Sequence, residues 1–288
     1  MFSKQTIRDI DLKGKRVLLR ADYNVPVEDG RITDDYRIQQ SLPTVRYLLK
    51  QGATLIICSH LGRPEGLNPG LSLSPVAERL GELLGQRVEF INNCVGEEVT
   101  RAAQGLKTGD VLLLENLRFH PEEKANDKNF AKQLAGLADV YVNDAFGVDH
   151  RKDASLEAVT HYLPSVAGLL LEKEMDVLTS IMQSPQRPLM AIIGGAKIAD
   201  KLEVMQRFIE IADLVAVGGA MANTFLKAKG VNIGDSLYDP AEVKVAKDIM
   251  KRATAEAEKR PFRFIIPRDV VVAEKIDAGA STRIVELN

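Results

Sequence analysis

The sequence predicts an α/β protein made of two Rossmann-like α/β/α domains, each with a parallel sheet, joined by a long helix. Three observations support this prediction. The length of 288 residues suits two domains of ordinary size. Short β-rich apolar runs alternate with amphipathic segments, and the alternation starts again in the last part of the chain. Strands that alternate with helices form parallel sheets covered on both faces.

The first domain is predicted over residues 1–167. Its strands are expected in the runs RVLLRADY, ATLIICSH, VEFI, DVLLLEN and VYVNDAFG. Its helices are expected in segments such as SLPTVRYLLKQG and LSPVAERLGELLG, where apolar residues recur at helical spacing. The order of these elements predicts one continuous parallel sheet.

A connecting helix is predicted over 168–184, and a second α/β domain over 185–288. Pro164 can start the turn before the helix, and Pro185 follows its end. The second domain has strand-like runs in RPLMAIIGG, DLVAVGG and RFIIPRDVVVA. They are separated by the helix-like segments IADKLEVMQRFIEIA and DPAEVKVAKDIMKRATAEAEKR.

The composition excludes several classes of protein. With 38 basic and 40 acidic residues, the formal charge of −2 gives no overall attraction to nucleic acid or membranes, so any anion site must be local. No apolar run approaches the length of a membrane span, and the N-terminus lacks a signal-peptide core. Cys58 and Cys94 are isolated, which favours buried reduced thiols. We expect a cytoplasmic protein without nucleic-acid or membrane partners.

Charged and polar residues follow the predicted strands of the first domain. In an open parallel sheet, ligands bind beyond the carboxyl ends of the strands. The loops there contain Asp22, Asn24, His60, Arg63, Arg118, His150 and Arg151, and Arg37 lies at the start of a helix. A single arginine is more often a surface residue, but several at equivalent positions would repel one another unless a multiply charged small anion lay between them. Guanidinium groups match carboxylate and phosphate. The two histidines are expected to form hydrogen bonds rather than to bind a metal.

A second candidate site lies in the stretch GGAKIADK, directly after the apolar run PLMAII. Lys197 and Lys201 are four residues apart, and lysines at a helix N-terminus oppose the helix dipole and repel each other. Asp200 could offset this repulsion on an ordinary helix surface. The stretch is not a Walker loop, because its glycines are adjacent and Ile198 follows Lys197. Backbone N–H groups and two lysines one turn apart suit a phosphoryl group.

Five segments, RADYNVP, SHLGRP, LLLENLRF, VNDAFG followed by HR, and IIGGAKIADK, resemble the signature segments of the phosphoglycerate kinase family. They occur in the same order and at similar spacing across essentially the whole chain, which is far more specific than one glycine-rich loop. The resemblance implies a hinge-bending glycolytic enzyme. It would transfer a phosphoryl group reversibly between 1,3-bisphosphoglycerate and Mg-ADP, giving 3-phosphoglycerate and Mg-ATP.

The resemblance also implies roles for individual residues. The glycerate would be bound by Asp22, Tyr23, Asn24, Arg37, His60, Leu61, Gly62, Arg63, Arg118, His150 and Arg151. The nucleotide would be bound by Gly194, Gly195, Lys197, Lys201, Gly218 and Gly219. The catalytic residues would be Arg37, Lys197 and Lys201. Mg²⁺ would be held mainly by the nucleotide phosphates and by family sequence beyond Asn288, with no metal ligand within this chain.

The sequence departs from the family pattern in two places. Asp149 and Asp153 add negative charge beside Arg151. The chain also ends at ASTRIVELN, about a quarter of the family length early, so the second domain is expected to be incomplete. One hypothesis is therefore a phosphoglycerate kinase whose 288-residue chain has doubtful activity. The other is a non-catalytic module that binds anionic phosphoglycerates. A Rossmann dehydrogenase is disfavoured because no strand precedes a G-x-G-x-x-G motif.

Overall fold

The structure is a computed structural model that describes residues 4–275 and 277–287. The chain divides into two compact units, Met1–Thr179 and Ser180–Asn288. Each contains parallel strands with helices between them, which confirms the predicted α/β class. Within the described residues, no helix is both long enough and apolar enough to cross a membrane.

The first unit is built around a six-stranded parallel sheet. The strands of this unit are β1 (Arg16–Arg20), β2 (Val27–Glu28), β3 (Arg31–Ile32), β4 (Thr54–Cys58), β5 (Glu89–Ile91), β6 (Val111–Leu114), β7 (Val140–Asn143) and β8 (Ser165–Ala167). The sheet order is β5-β6-β4-β1-β7-β8, while β2 and β3 form a separate antiparallel hairpin. The chain adds strands on one side of β1 and then on the other, so the order reverses beside β1. Ligands of such sheets bind at this reversal.

Helices cover this sheet on both faces. α1 (Tyr36–Lys50) and α2 (Ser74–Leu84) pack into one cluster, and α3 (Glu97–Gly105) and α5 (Lys128–Ala135) pack into the other. The remaining helices are α4 (Pro121–Lys124) and α6 (Leu169–Gln183). Alternate residues of each central strand belong to different hydrophobic clusters. In β4, Leu55 and Ile57 pack in one cluster, whereas Ile56 and Cys58 pack in the other. Both cysteines are free and buried, as predicted from their isolation.

The helix α6 begins where a buried carboxylate accepts its first amides. Oδ1 of Asp144 accepts hydrogen bonds from the backbone N–H groups of Leu170 at 2.9 Å and Leu171 at 3.3 Å. A Cβ atom at Gly168 would overlap the Asp144 side chain, so glycine is required directly before the helix. Asp144 satisfies amides that have no partner within the helix and thereby fixes where α6 begins.

The helix α6 occupies the segment for which a connecting helix is predicted, one residue shorter at each end than 168–184. The division between the two compact units falls inside this helix, after Thr179.

The second unit contains a three-stranded parallel sheet and a two-stranded antiparallel hairpin. The sheet has the order β11-β10-β9, and the hairpin pairs β12 with β13. These strands are β9 (Met190–Gly194), β10 (Leu214–Gly218), β11 (Arg263–Ile265), β12 (Asp269–Ala273) and β13 (Thr282–Glu286). The helices α7 (Leu202–Ile211), α8 (Gly219–Ala228) and α9 (Val243–Ala257) pack with the sheet around one hydrophobic cluster.

Candidate functional site

The loops beyond the carboxyl ends of β1, β4 and β6 are joined by direct hydrogen bonds. The backbone N–H of Gly62 donates to Oδ1 of Asn24 at 2.8 Å, and the carbonyl of Gly62 accepts from Nη1 of Arg118. Asn116 binds the same loop through both backbone groups of Leu61. The structure therefore brings Asn24 and Arg118 together, as their positions after neighbouring strands predict, with Gly62 between them.

Arg118 is a buried cation with unused donors. Only 4% of the residue is exposed. Its Nε and Nη2 atoms are buried without a hydrogen-bond partner among the described residues, and the same holds for Nε of Arg151. Buried polar groups are normally paired, and an unpaired guanidinium donor is costly. An anion with several oxygens would satisfy these donors.

His60 lies among positive charges. It is 2% exposed. The cations that act on it electrostatically are Arg20, Arg118, Arg151 and Arg37. Burial, and then these positive charges, lower the pKa of His60 to about 2. His60 is therefore uncharged at neutral pH and can contribute hydrogen bonds but no charge.

Arg37, near the start of α1, forms an ion pair with Asp22. About half of the Arg37 side chain is exposed, at 49%, whereas that of Asp22 is exposed by 11%. A Cβ atom at Gly147 would come within 2.9 Å of the Asp22 carboxylate, so a side chain there would require this carboxylate to shift. The implied catalytic arginine is thus held by a carboxylate that is also a predicted substrate-binding residue.

Some predicted residues have side chains that point away from these loops. Tyr23 is fully buried, and its hydroxyl lies 3.0 Å from Oγ of Ser41. The side chain of Leu61 is buried in the same hydrophobic cluster. These two residues can therefore offer a ligand only backbone atoms. Arg63 and His150 are exposed.

The two carboxylates that depart from the family pattern point in different directions. Oδ1 of Asp149 accepts a hydrogen bond from Nδ2 of Asn143 at 2.6 Å, so this carboxylate is directed to β7. Asp153 is 7% exposed and contributes a favourable charge to Arg118. Asp149 therefore interacts with the end of β7, and Asp153 partly offsets the charge of Arg118.

Sequence reasoning missed a buried polar network behind His60. It contains Arg20, Glu123 and Ser155, all fully buried. One signal could have indicated it: Arg20 ends the otherwise apolar run VLL in β1, and a charged residue inside a buried strand requires partners.

In the second unit, the lysine stretch lies between β9 and α7. The carboxylate of Glu242 accepts hydrogen bonds from the amides of Ile198 at 2.6 Å and Ala199 at 2.8 Å. Glu242 is 7% exposed. The expectation that the amides at this helix start bind a phosphoryl group is therefore incorrect for these two amides, because an internal carboxylate already occupies them. Lys197 remains exposed and Lys201 is half-buried.

The two predicted glycine pairs lie side by side at the ends of β9 and β10. Gly194 and Gly218 are partners in the parallel register. Gly219 has φ +65°, and a Cβ atom there would lie 3.1 Å from the backbone N and O atoms of Gly195. A Cβ atom at Gly195 would lie 3.2 Å from Cε of Lys201, so the lysine stem passes over Gly195. The absence of side chains leaves exposed backbone beside the lysines.

Two α/β units, one with clustered guanidinium groups and one with a glycine and lysine loop, are the framework of a phosphotransferase. The family model described as "Phosphoglycerate kinase" matches residues 7–288. The chain therefore belongs to the phosphoglycerate kinase family, which confirms the resemblance found in the sequence.

Relatives in sequence and in structure agree with this assignment. The phosphoglycerate kinase of Moorella thermoacetica is 51% identical over 288 residues, covering 100% of this chain and 72% of the relative. That of Dictyoglomus turgidum is 49% identical over 290 residues, with coverage of 100% and 72%. The structure of phosphoglycerate kinase from Coxiella burnetii has a TM-score of 0.82 and 36% identity, covering 98% of this chain and 71% of that chain. The chain thus spans somewhat less than three quarters of these proteins.

Proposed function

We propose that this chain binds 3-phosphoglycerate and 1,3-bisphosphoglycerate through its first unit, as a phosphotransferase of the phosphoglycerate kinase family. The observation that carries the proposal is a pair of donors on buried Arg118 that have no partner among the described residues, within an arginine cluster around uncharged His60. Such surplus donors suit a phosphate or carboxylate group.

The reaction requires positioning and charge stabilisation more than proton transfer. In phosphoryl transfer, charge spreads over the equatorial oxygens, and fixed cations stabilise it. Arg63, Arg118 and Arg151 would hold the glycerate phosphate, and Asp22 and Asn24 its hydroxyl and neighbouring oxygens. The substrate carboxylate is itself the phosphoryl acceptor, so no nucleophilic side chain is needed.

Arg37 would act on the reacting group itself. Its pairing with Asp22 orients the guanidinium while leaving part of it exposed. A guanidinium near the carboxylate and the transferring phosphoryl group would stabilise the negative charge that develops during transfer.

The second unit would bind ADP or ATP. Lys197 and Lys201 would supply positive charge to the nucleotide phosphates. The backbone could approach these phosphates closely at Gly194, Gly195, Gly218 and Gly219. When bound, Mg²⁺ would neutralise phosphate charge. Within the described part of the chain, no group of three or more His, Cys, Asp or Glu side chains could hold a metal. By the family resemblance, the nucleotide phosphates would be its main ligands.

We further propose that the enzyme is a cytoplasmic monomer that closes by hinge bending. The domain bounds follow the sequence: 1–167 for the glycerate, 168–184 for the connecting helix and 185–288 for the nucleotide. The family assignment and the helix α6 support this arrangement.

Calorimetry with 3-phosphoglycerate at low salt tests the proposal. We expect binding to the unmodified chain and an affinity about a hundredfold lower for Arg118→Met, because at least two charge-assisted hydrogen bonds are lost. Arg101→Met, at an exposed position on α3, is the matched control and should leave the affinity unchanged. No binding to the unmodified chain would contradict the proposal.

An assay of ATP-dependent turnover distinguishes the two hypotheses about activity. Turnover by the chain supports a working phosphoglycerate kinase. Binding of 3-phosphoglycerate without turnover would instead support a non-catalytic module that captures anionic phosphoglycerates.

A further inference from the structure

Arg20, at the carboxyl end of β1, is fully buried and bonded through all three of its nitrogens. Its Nε atom donates to Oγ of Ser155 at 2.9 Å, and Nη1 donates to the carbonyl of Ala21 at 2.5 Å. Its Nη2 atom lies 3.2 Å from Nδ1 of His60. The guanidinium therefore has one fixed orientation, with one edge directed at the histidine.

Ser155 is held on its other side by Glu123. Oγ of Ser155 donates to Oε1 of Glu123 at 2.6 Å, and the backbone N–H of Ser155 donates to Oε2 at 2.9 Å. The hydroxyl of Tyr141 donates to the Ser155 carbonyl at 2.8 Å. A continuous buried chain thus runs from Glu123 through Ser155 and Arg20 to His60.

The chemistry of arginine determines the protonation of His60. A guanidinium has donors but no acceptor, so Nδ1 of His60 must accept the hydrogen bond from Arg20. A neutral imidazole with an unprotonated Nδ1 has its proton on Nε2. Among residues 4–275 and 277–287, no group forms a hydrogen bond with Nε2. His60 therefore has one donor available to a ligand.

The charges around His60 oppose its protonation. The charges with the largest effect on it are positive: Arg20 on β1, Arg118 in the turn after β6, Arg151 after β7 and Arg37 on α1. A protonated His60 would lose its bond from Arg20 and add a fifth positive charge. The neutral form is favoured by hydrogen bonding and by electrostatics alike.

We propose that Arg20 is a positioning residue that holds His60 as the neutral Nε2–H tautomer, so that His60 gives a bound anion one hydrogen bond and no charge. The role of Ser155 and Glu123 is to fix Arg20 in the orientation that this requires. That the anion is a phosphoglycerate rests on the proposed function. The assignment of the His60 tautomer does not depend on it.

Nitrogen NMR of the histidine rings in the full chain tests the tautomer directly. We expect His60 to have the coupling pattern of a proton on Nε2. We also expect its signals to stay constant between about pH 8 and about pH 5.5, a range in which an unperturbed histidine titrates. A proton on Nδ1, or titration near the ordinary value of about 6.5, would overturn the proposal.

Arg20→Lys and Ser155→Ala test the cause. A lysine cannot bond Ser155, Ala21 and His60 in one plane, so we expect a mixture of tautomers and an affinity for 3-phosphoglycerate about tenfold lower. Ser155→Ala should shift the tautomer in the same direction by less. Arg16→Lys, at the other end of β1, should change neither quantity.

The outcomes separate the two proposals. If Arg20→Lys and Ser155→Ala both leave the tautomer unchanged, Arg20 is not the positioning residue. If the unmodified chain has the expected tautomer but does not bind 3-phosphoglycerate, the proposed function fails while the role of Arg20 stands.

Discussion

The two parallel sheets of this protein differ in how their faces are covered. In the first unit, every residue of β4 and β6 is buried, because helices cover both faces. In the second unit, exposure alternates along β9, where Ala191 and Ile193 are buried but Met190 and Ile192 are exposed by 58% and 76%. The helices α7, α8 and α9 contribute to a single cluster, on the face that contains Ala191 and Ile193.

This difference shows that the sequence of an apolar strand does not determine whether helices pack on one or both of its faces. The strands TLIIC and MAIIG have similar residues, and both predict a strand buried on two faces. Within the described residues, only the first of these strands is buried on both faces. Periodicity therefore predicts the strand, while the second layer of helices depends on the rest of the fold.

The largest expected effect comes from one truncation made in each sheet. Ile56→Ala should lower the free energy of unfolding by about 3–4 kcal/mol, because it leaves a cavity between buried layers. Ile192→Ala should lower it by less than about 0.5 kcal/mol, because the side chain is already exposed. Urea unfolding of both variants measures the difference.

Ile193→Ala is the control within the second sheet, since Ile193 is 7% exposed and belongs to the cluster. It should cost far more than Ile192→Ala. Equal losses for Ile192→Ala and Ile193→Ala would show that both faces of the second sheet are covered in solution.

The two units also differ in how a buried carboxylate near the end of a strand is hydrogen-bonded. Asp144 in the first unit is 1% exposed, and its Oδ2 atom has no hydrogen-bond partner among the described residues. Glu242 in the second unit uses both oxygens, each for one amide. Burial raises the pKa of Asp144 to about 6. The first unit therefore contains an acid whose charged form is costly.

This pKa predicts that acidification stabilises the fold through Asp144. The folded state binds the proton more tightly than the unfolded state, so this contribution is complete below about pH 4 and is lost as the pH rises through about 6. Relative to Asp144→Asn, the free energy of unfolding should fall by about 3 kcal/mol over this range. Urea unfolding of both proteins at several pH values measures it.

Asp213→Asn serves as a control of opposite sign in the second unit. The amide of Leu189 and the guanidinium of Arg187 lower the pKa of Asp213. Its contribution should therefore be lost as the pH falls rather than as it rises. A difference between wild type and Asp144→Asn that does not change with pH would contradict the assigned pKa.

The smallest expected effect concerns Glu242→Gln. A glutamine has one acceptor oxygen, so one of the two amides, Ile198 or Ala199, should lose its partner. We expect hydrogen exchange of these amides to be about tenfold faster, corresponding to a local loss of about 1–2 kcal/mol. Glu203→Gln, on the exposed surface of α7, should have no effect. Unchanged exchange would show that the lysine loop does not depend on Glu242.

The sequence was sufficient for the family and for most strands, but it predicted neither β8 nor the division of RFIIPRDVVVA between β11 and the hairpin strand β12. Asn24 and Arg118 lie close together because the ends of parallel strands converge, as their positions after predicted strands indicate, whereas Gly62 between them was implied only by the family resemblance. The orientation of individual side chains was not predictable. Tyr23 lies in a matching motif in the loop after β1, yet its ring packs in the core and its hydroxyl lies beside Oγ of Ser41.

Long-range polar contacts were beyond sequence reasoning for a different reason. Glu123 and Ser155 are 32 residues apart, and Ile198 and Glu242 are 44 apart. No local periodicity links such positions, because their contacts arise only after the helices have packed. Both contacts support residues that the motifs did identify, His60 in one case and the lysine loop in the other.

The close approach of Lys201 to Gly195 has a consequence for substitutions in this loop. The lysine stem occupies the space where a side chain at position 195 would begin, and the backbone of Gly195 in turn fills the space beside Gly219. Glycine at position 195 is required for a second reason, because its φ of +155° is one that other residues rarely adopt. A smaller residue at position 201 would therefore free space in this loop without allowing a side chain at position 195.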